Sequence, residues 1–239
     1  MKRHTATKKP IWKRPFFWVI IILIVLVGGI TISRQTGATI SNHEKVSKPK
    51  PKPKPKPKPV KLTAKEKKVA KKYGLSPQAT AHAHTAKVTA IGDSVMVDIT
   101  PELKQVFPHA LINGAVGRQF YDLPNIAQSL KDEDKLADNV VVNLGTNGPP
   151  EKKDISRFLK VVGNKRQVYW INTHVPTQKW EGQTNRLIAS TAKTNRNVHV
   201  VDWHDLSKNH ANWFAGDEVH LQTKGATAYV GLLAKTMAN

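Results

Sequence analysis

The chain has 239 residues, a formal net charge of +21 and no cysteine, which excludes disulfide cross-links and thiolate metal sites. The charge is unevenly placed: residues 1–86 hold 20 Lys and Arg against 2 acids, and residues 87–239 hold 18 against 15. Basicity so confined describes an N-terminal segment, not a nucleic-acid-binding fold, and the 153 residues from 87 onward are ordinary globular material.

Residues 1–14 carry six Lys and Arg and no acid. Residues 15–33 are uncharged and centre on Phe16 to Val27; as a helix they would be about 28 Å long, near the thickness of a hydrocarbon core. Trp12 and Trp18 stand where indoles favour a membrane interface. The expectation is a cytoplasmic basic tail (1–14) and an uncleaved single-pass anchor (15–33) in a cell membrane, with the rest outside. A cleaved signal peptide fits less well, since its apolar region is usually shorter.

An extracytoplasmic linker is expected over 34–86. Its alternating Lys-Pro run from Lys48 to Pro59 admits neither helix nor sheet, leaving extended polyproline II of about 37 Å. Such a cationic spacer suits an anionic envelope polymer, or is only solvated. Thr63 and Glu66 match a capping box, and Gly74 a stop, so a short exposed linker helix is expected over 64–73. Residues 75–86, with His82 and His84, read as loop.

From residue 87 the pattern alternates. Strands are expected at 87–91, 109–113, 139–144, 167–172 and 198–202, and helices near 95–106, 119–131, 151–163, 180–195 and 222–237. Runs such as Val140-Val141-Val142 and Val168-Tyr169-Trp170-Ile171 are apolar on both sides of the pleat, as strands covered on both faces must be. This succession predicts a three-layer α/β/α sandwich around a parallel five-stranded sheet, with ligand chemistry at the strand carboxyl ends.

Four short blocks fall at those ends or before the last helix: Gly92-Asp93-Ser94-Val95-Met96, Val116-Gly117-Arg118-Gln119, Asn143-Leu144-Gly145-Thr146-Asn147-Gly148 and Asp217-Glu218-Val219-His220-Leu221. In this order they resemble the SGNH/GDSL hydrolase family, over about residues 87–239. Within it they are most similar to the extracytoplasmic domain of Gram-positive peptidoglycan O-acetyltransferases. The resemblance implies a flavodoxin-like catalytic domain at 87–239 with a Ser94, His220 and Asp217 triad. It also implies an oxyanion hole from the N–H of Ser94, the N–H of Gly117 and the side-chain amide of Asn147. A serine hydroxyl needs an imidazole to take its proton, and that imidazole needs a carboxylate to orient it. Asp93 reads as a brace for the turn. His174, His204 and His210 are rival bases, and His204, flanked by Asp202 and Asp205, is the strongest.

Arg118, Gln119, Trp180, Asn185 and Trp213 are the candidate substrate-binding residues. No cofactor and no metal is expected. The reading is a membrane-anchored serine esterase or O-acetyltransferase acting on acetyl esters of cell-wall glycan, with water or a sugar hydroxyl resolving an acyl-enzyme. Proteins of this kind usually carry a multi-span acyltransferase in the same chain; here one span is present, so either a separate membrane protein supplies acyl groups or this enzyme removes them. The alternatives are a general lipase or thioesterase, and a non-catalytic wall-binding module with a hydrolase fold.

Overall fold

The structure is a computed structural model and describes residues 60–239. The basic tail, the anchor and the Lys-Pro run lie outside the described residues. Among the described residues no helix is long and apolar enough to cross a membrane.

Two helices open the described chain, α1 (Ala64–Tyr73) and α2 (Pro77–Thr85). There follow β1 (Val88–Gly92), α3 (Ser94–Val106), β2 (Leu111–Gly114), a 3-10 turn at Phe120–Asp122 running into α4 (Leu123–Asp132), β3 (Asn139–Asn143) and α5 (Lys152–Val162). The chain closes with β4 (Gln167–Ile171), α6 (Glu181–Thr194), β5 (Val198–Val201), the short α7 (Trp203–Ser207), a 3-10 turn at Ala211–Trp213 and α8 (Thr223–Met237).

All five strands are parallel, in the order β2-β1-β3-β4-β5. Alternate strand residues feed opposite cores, as the two-residue pleat requires. Val141, Tyr169 and Ile171 pack with α1, α2, α3 and α8, whereas Val140, Val142, Val168 and Trp170 pack with α4, α5 and α6. Helices therefore cover both faces, and the parallel five-stranded α/β sandwich expected from the sequence is present. The chain leaves β1 toward one edge and β3 toward the other, which opens a crevice at their carboxyl ends. Gly92 lies opposite Asn143 in the ladder, so the segments after these two residues emerge side by side.

Two expectations change. Residues 75–86 are not a loop: Ser76 accepts from Ala79 N–H as N-cap and Pro77 opens α2 at its first turn. Nor is 64–73 an exposed linker helix. Its capping box and Gly74 stop are present, but Val69 and Tyr73 are buried with Leu75, Ala79 and Ala83 in the α3–α8 core. Tyr73 Oη donates to Gln105 Oε1 at 3.1 Å. Burial of such side chains contributes roughly 1.5–3 kcal/mol each, so the packed unit includes residues 64–86, and the boundary expected at 87 falls inside it. The short α7 was not expected.

Candidate active site

β1 delivers the first block. A Cβ on Gly92 would lie 2.4 Å from Met96 Cβ and 3.0 Å from Asn143 O, so only glycine lets α3 start this close to the sheet. Asp93 caps α3, its Oδ1 accepting from Val95 N–H at 3.1 Å. Ser94 is the first helical residue, nearly buried, and its N–H is one that a helix leaves without an internal partner.

The second and third blocks meet beside it. Gly117 has φ +72°, and a Cβ there would meet nothing within 4 Å. Glycine is thus favoured by the left-handed backbone and not by crowding from neighbouring protein atoms. Asn147 Nδ2 donates to Arg118 O at 3.2 Å, which ties the second block to the third and leaves one amide hydrogen for another acceptor.

The fourth block sits on a hairpin. Phe214 bridges Leu221, Ala215 N–H donates to His220 O at 2.8 Å, and Gln222 N–H to Trp213 O at 2.9 Å. Asp217 Oδ1 accepts from Val219 N–H and His220 N–H, both at 3.0 Å, and Oδ2 pairs with His220 Nδ1 at 2.6 Å. This fixes the Nδ1–H tautomer and leaves Nε2 as the basic nitrogen. The imidazole bond, then the two backbone donors, hold the Asp217 carboxyl down at about 2. The same bond raises His220 above its ordinary 6.5, with Asp98 adding to the effect. Asp98, four residues past Ser94 on the same face of α3, accepts from Leu221 N–H at 3.0 Å.

Ser94, Gly117, Asn147, Asp217 and His220 line one cleft of about 330 Å³, with Gln119, Thr146, Gln178 and Trp180. No hydrogen bond within 3.5 Å joins Ser94 Oγ to any described residue, His220 included. Beneath the serine, Asp93 is fully buried, and desolvation pushes its carboxyl up to about 6. Asp93 Oδ2, Asn143 Oδ1 and Tyr229 Oη have no hydrogen-bond partner there. A groove of about 350 Å³ elsewhere is lined by Lys65, Lys68, Lys72, Lys104 and His84, with no serine, threonine or carboxylate among its lining residues.

Of the five candidate substrate-binding residues, Gln119 and Trp180 line the cleft, and Trp180 Nε1 donates to Thr146 O at 3.3 Å. The other three do not. The Arg118 guanidinium donates to Gly92 O at 2.9 Å, to Asn113 O, and to Asn113 Oδ1 at 2.7 Å, bracing the ends of β1 and β2. Asn185 is spent on Thr173, accepting from its N–H at 2.8 Å and donating to its carbonyl at 2.9 Å. Trp213 stacks on His210, ring centroids 3.8 Å apart. His204 pairs with Glu181 at 3.0 Å and, like His174 and His210, is absent from the cleft lining.

A scan against protein-family models found no match. Residues of the chain are 43% identical over 148 positions to the O-acetyltransferase OatA of Staphylococcus aureus, covering 62% of this chain and 24% of that protein. The chain therefore spans about a quarter of the length of the curated relatives it matches. Among solved structures, the C-terminal catalytic domain of Streptococcus pneumoniae peptidoglycan O-acetyltransferase A superposes with a TM-score of 0.58 at 22% identity, covering 63% of this chain and 92% of that one. A GDSL-like lipase from Bacteroides thetaiotaomicron superposes at 0.52 and 18%, covering 72% and 96%. The described domain shares the fold of these two solved structures. In the described domain the four sequence blocks occupy the crevice between β1 and β3 and the hairpin before α8.

Sequence reading missed Thr146, Val175, Gln178 and Val219 in the cleft, and Asp98 beneath the hairpin. Thr146 lies inside a recognised block and Asp98 at helical spacing from Ser94, so both had a signal. Val175 and Gln178 come from the loop between β4 and α6 and had none.

Proposed function

We propose that the chain is a serine esterase or O-acetyltransferase acting on acetyl esters of cell-wall glycan. The observation that carries this reading is the 2.6 Å Asp217–His220 bond in the cleft that Ser94 lines. Ser94 Oγ attacks the acyl carbonyl while His220 Nε2 takes its proton. Small side-chain motion on substrate binding brings the two within about 2.6–3.2 Å, as free enzymes often require. The oxyanion accepts from the N–H of Ser94, the N–H of Gly117 and Asn147 Nδ2, and removal of one such donor typically costs ~10²–10³ in rate. His220 returns the proton to the departing alcohol, leaving acetyl on Ser94. Water or a sugar hydroxyl then attacks this acyl-enzyme by the same route in reverse.

Gln119, Thr146, Asn147, Gln178 and Trp180 give the cleft a polar wall with one aromatic, which suits a sugar acetate better than a long acyl chain. In the full protein, residues 15–33 anchor the domain outside a cell membrane with residues 1–14 in the cytoplasm. The Lys-Pro run spans toward anionic wall polymers, and acyl groups reach the site from a separate membrane acyltransferase or are removed to water.

The test uses the full-length protein with a small acetyl ester, then with an acetyl donor and a chitooligosaccharide or muropeptide. Wild type releases acetate or acetylates the sugar, read by mass spectrometry, and Ser94→Ala loses turnover by about 10⁴ or more while keeping its fold. Equal turnover by Ser94→Ala would overturn the mechanism, and preference for long acyl chains over acetate would turn the reading to a general lipase or thioesterase.

A further inference from the structure

Behind the cleft wall lies a cluster that the acyl chemistry does not use. His174 follows β4, Glu181 opens α6 and His204 lies in α7. Each offers a ring nitrogen or carboxylate oxygen, and these atoms lie within 4.8 Å of one another. His204 Nε2 is 3.0 Å from Glu181 Oε1, while Glu181 Oε2 accepts from Val175 N–H. An ordinary His204–Glu181 ion pair explains these contacts but not His174, whose Nδ1 is buried without a hydrogen-bond partner. Its ring stands 6.0 Å from that of His204 and stacks on Phe214 at 4.5 Å.

We propose that His174, Glu181 and His204 form a binding site for a divalent transition ion of the zinc class. This departs from the expectation of no metal. Two imidazoles and one carboxylate are a donor set suited to zinc and its neighbours, not to calcium or magnesium. Ligands at about 2.0–2.1 Å in a tetrahedron stand roughly 3.3 Å apart, so modest side-chain closure reaches that geometry. The shell is already braced. Asn185 clamps Thr173 on both backbone groups, and Asn172 Oδ1 accepts from His204 N–H at 2.8 Å while its Nδ2 donates to Asp202 Oδ1 at 2.7 Å. With part of the His204 side chain exposed (37%), a fourth position opens to solvent.

An ion there ties the β4–α6 loop, which supplies Val175, Gln178 and Trp180 to the cleft, to α7. Through Phe214 the tie extends to the hairpin that carries Asp217 and His220. The role is that of a staple, since none of its three ligands lines the cleft.

The experiment strips the full-length protein with a chelator and titrates it with Zn²⁺ alone against a chromogenic competitor. Wild type takes up one tightly held zinc, and Co²⁺ in its place gives the visible absorption of a low-symmetry site. His174→Gln, His204→Gln and Glu181→Gln each weaken uptake by about 100-fold or more, with circular dichroism recording that each folds. Glu181→Gln keeps the acceptor for Val175 N–H and so serves if a histidine variant fails to fold. His220→Gln and Ser94→Ala retain wild-type uptake, which separates this site from the proposed catalytic groups and makes the result independent of any esterase activity. Zinc uptake by wild type no tighter than by the three variants, or its loss in His220→Gln, would overturn the proposal.

Discussion

Ser94 and His220 line one cleft but are held by opposite means. The serine side is packed: no room is left at Gly92 for a Cβ beside Met96, Asp93 is fully buried, and Ala90, Val95 and Met96 around them belong to the core. The histidine side is a hairpin whose Asp217 and His220 side chains are 49% and 43% exposed, kept in place by backbone hydrogen bonds and by Asp98. A side chain set by packing is hard to misplace, whereas one set by a few hydrogen bonds is adjustable. The serine hydroxyl and the imidazole line the same cleft with no hydrogen bond between them.

The largest break is on the hairpin. Asp217→Asn removes the acceptor that fixes the His220 tautomer and is expected to lower kcat by about 10⁴, with Tm nearly unchanged because the pair is half exposed. Steady-state kinetics and a thermal melt check both halves.

On the packed side the effect reads in stability. The Asp93 carboxyl holds its proton up to about 6 against 3.8 when exposed, so between those values the folded state binds more protons than the unfolded one. Stability therefore falls as pH rises through that window and stays reduced above it. Asp93→Asn keeps a cap acceptor and removes the buried charge, so it is expected to gain about 1–3 kcal/mol at pH 7 and nothing near pH 4. Denaturant melts of both proteins across that range measure the difference.

Asp98→Asn tests the link between the two sides. It weakens the acceptor for Leu221 N–H and removes a negative neighbour of His220, so kcat/KM should fall on the order of tenfold. On the proposed mechanism His220 works as a base only when neutral, and its raised pKa places the acid limb of the rate profile above 6.5. In Asp98→Asn that limb moves to lower pH. Gly117→Ala, with open space but φ +72°, is expected to cost about 1–2 kcal/mol of backbone strain, comparable to the Asp98→Asn effect and read in denaturant melts.

The sheet was legible because strands covered on both faces must be apolar at successive positions, as Val140 to Val142 are. Three of the four blocks were legible because they follow strand ends, and the fourth because an acid stands three residues before a histidine ahead of the last helix. α2 was not, since its Ala, His and Thr residues show no apolar stripe and only Ser76-Pro77 signalled a start. Arg118 was misread because neighbours in sequence diverge in space: the chain turns at Gly117, and the guanidinium is drawn back to the carbonyls of Gly92 and Asn113. Asn185 fared likewise, its partner Thr173 lying across the loop between β4 and α6, whereas Trp213 is taken up by His210 three residues before it.

The burial of Val69, Tyr73 and Ala83 against α3 and α8 has a mechanical consequence. Tension entering through Val60 loads α1 and α2 before it can reach β1. Under such a pull these two helices peel first, shielding the strand that carries the serine turn.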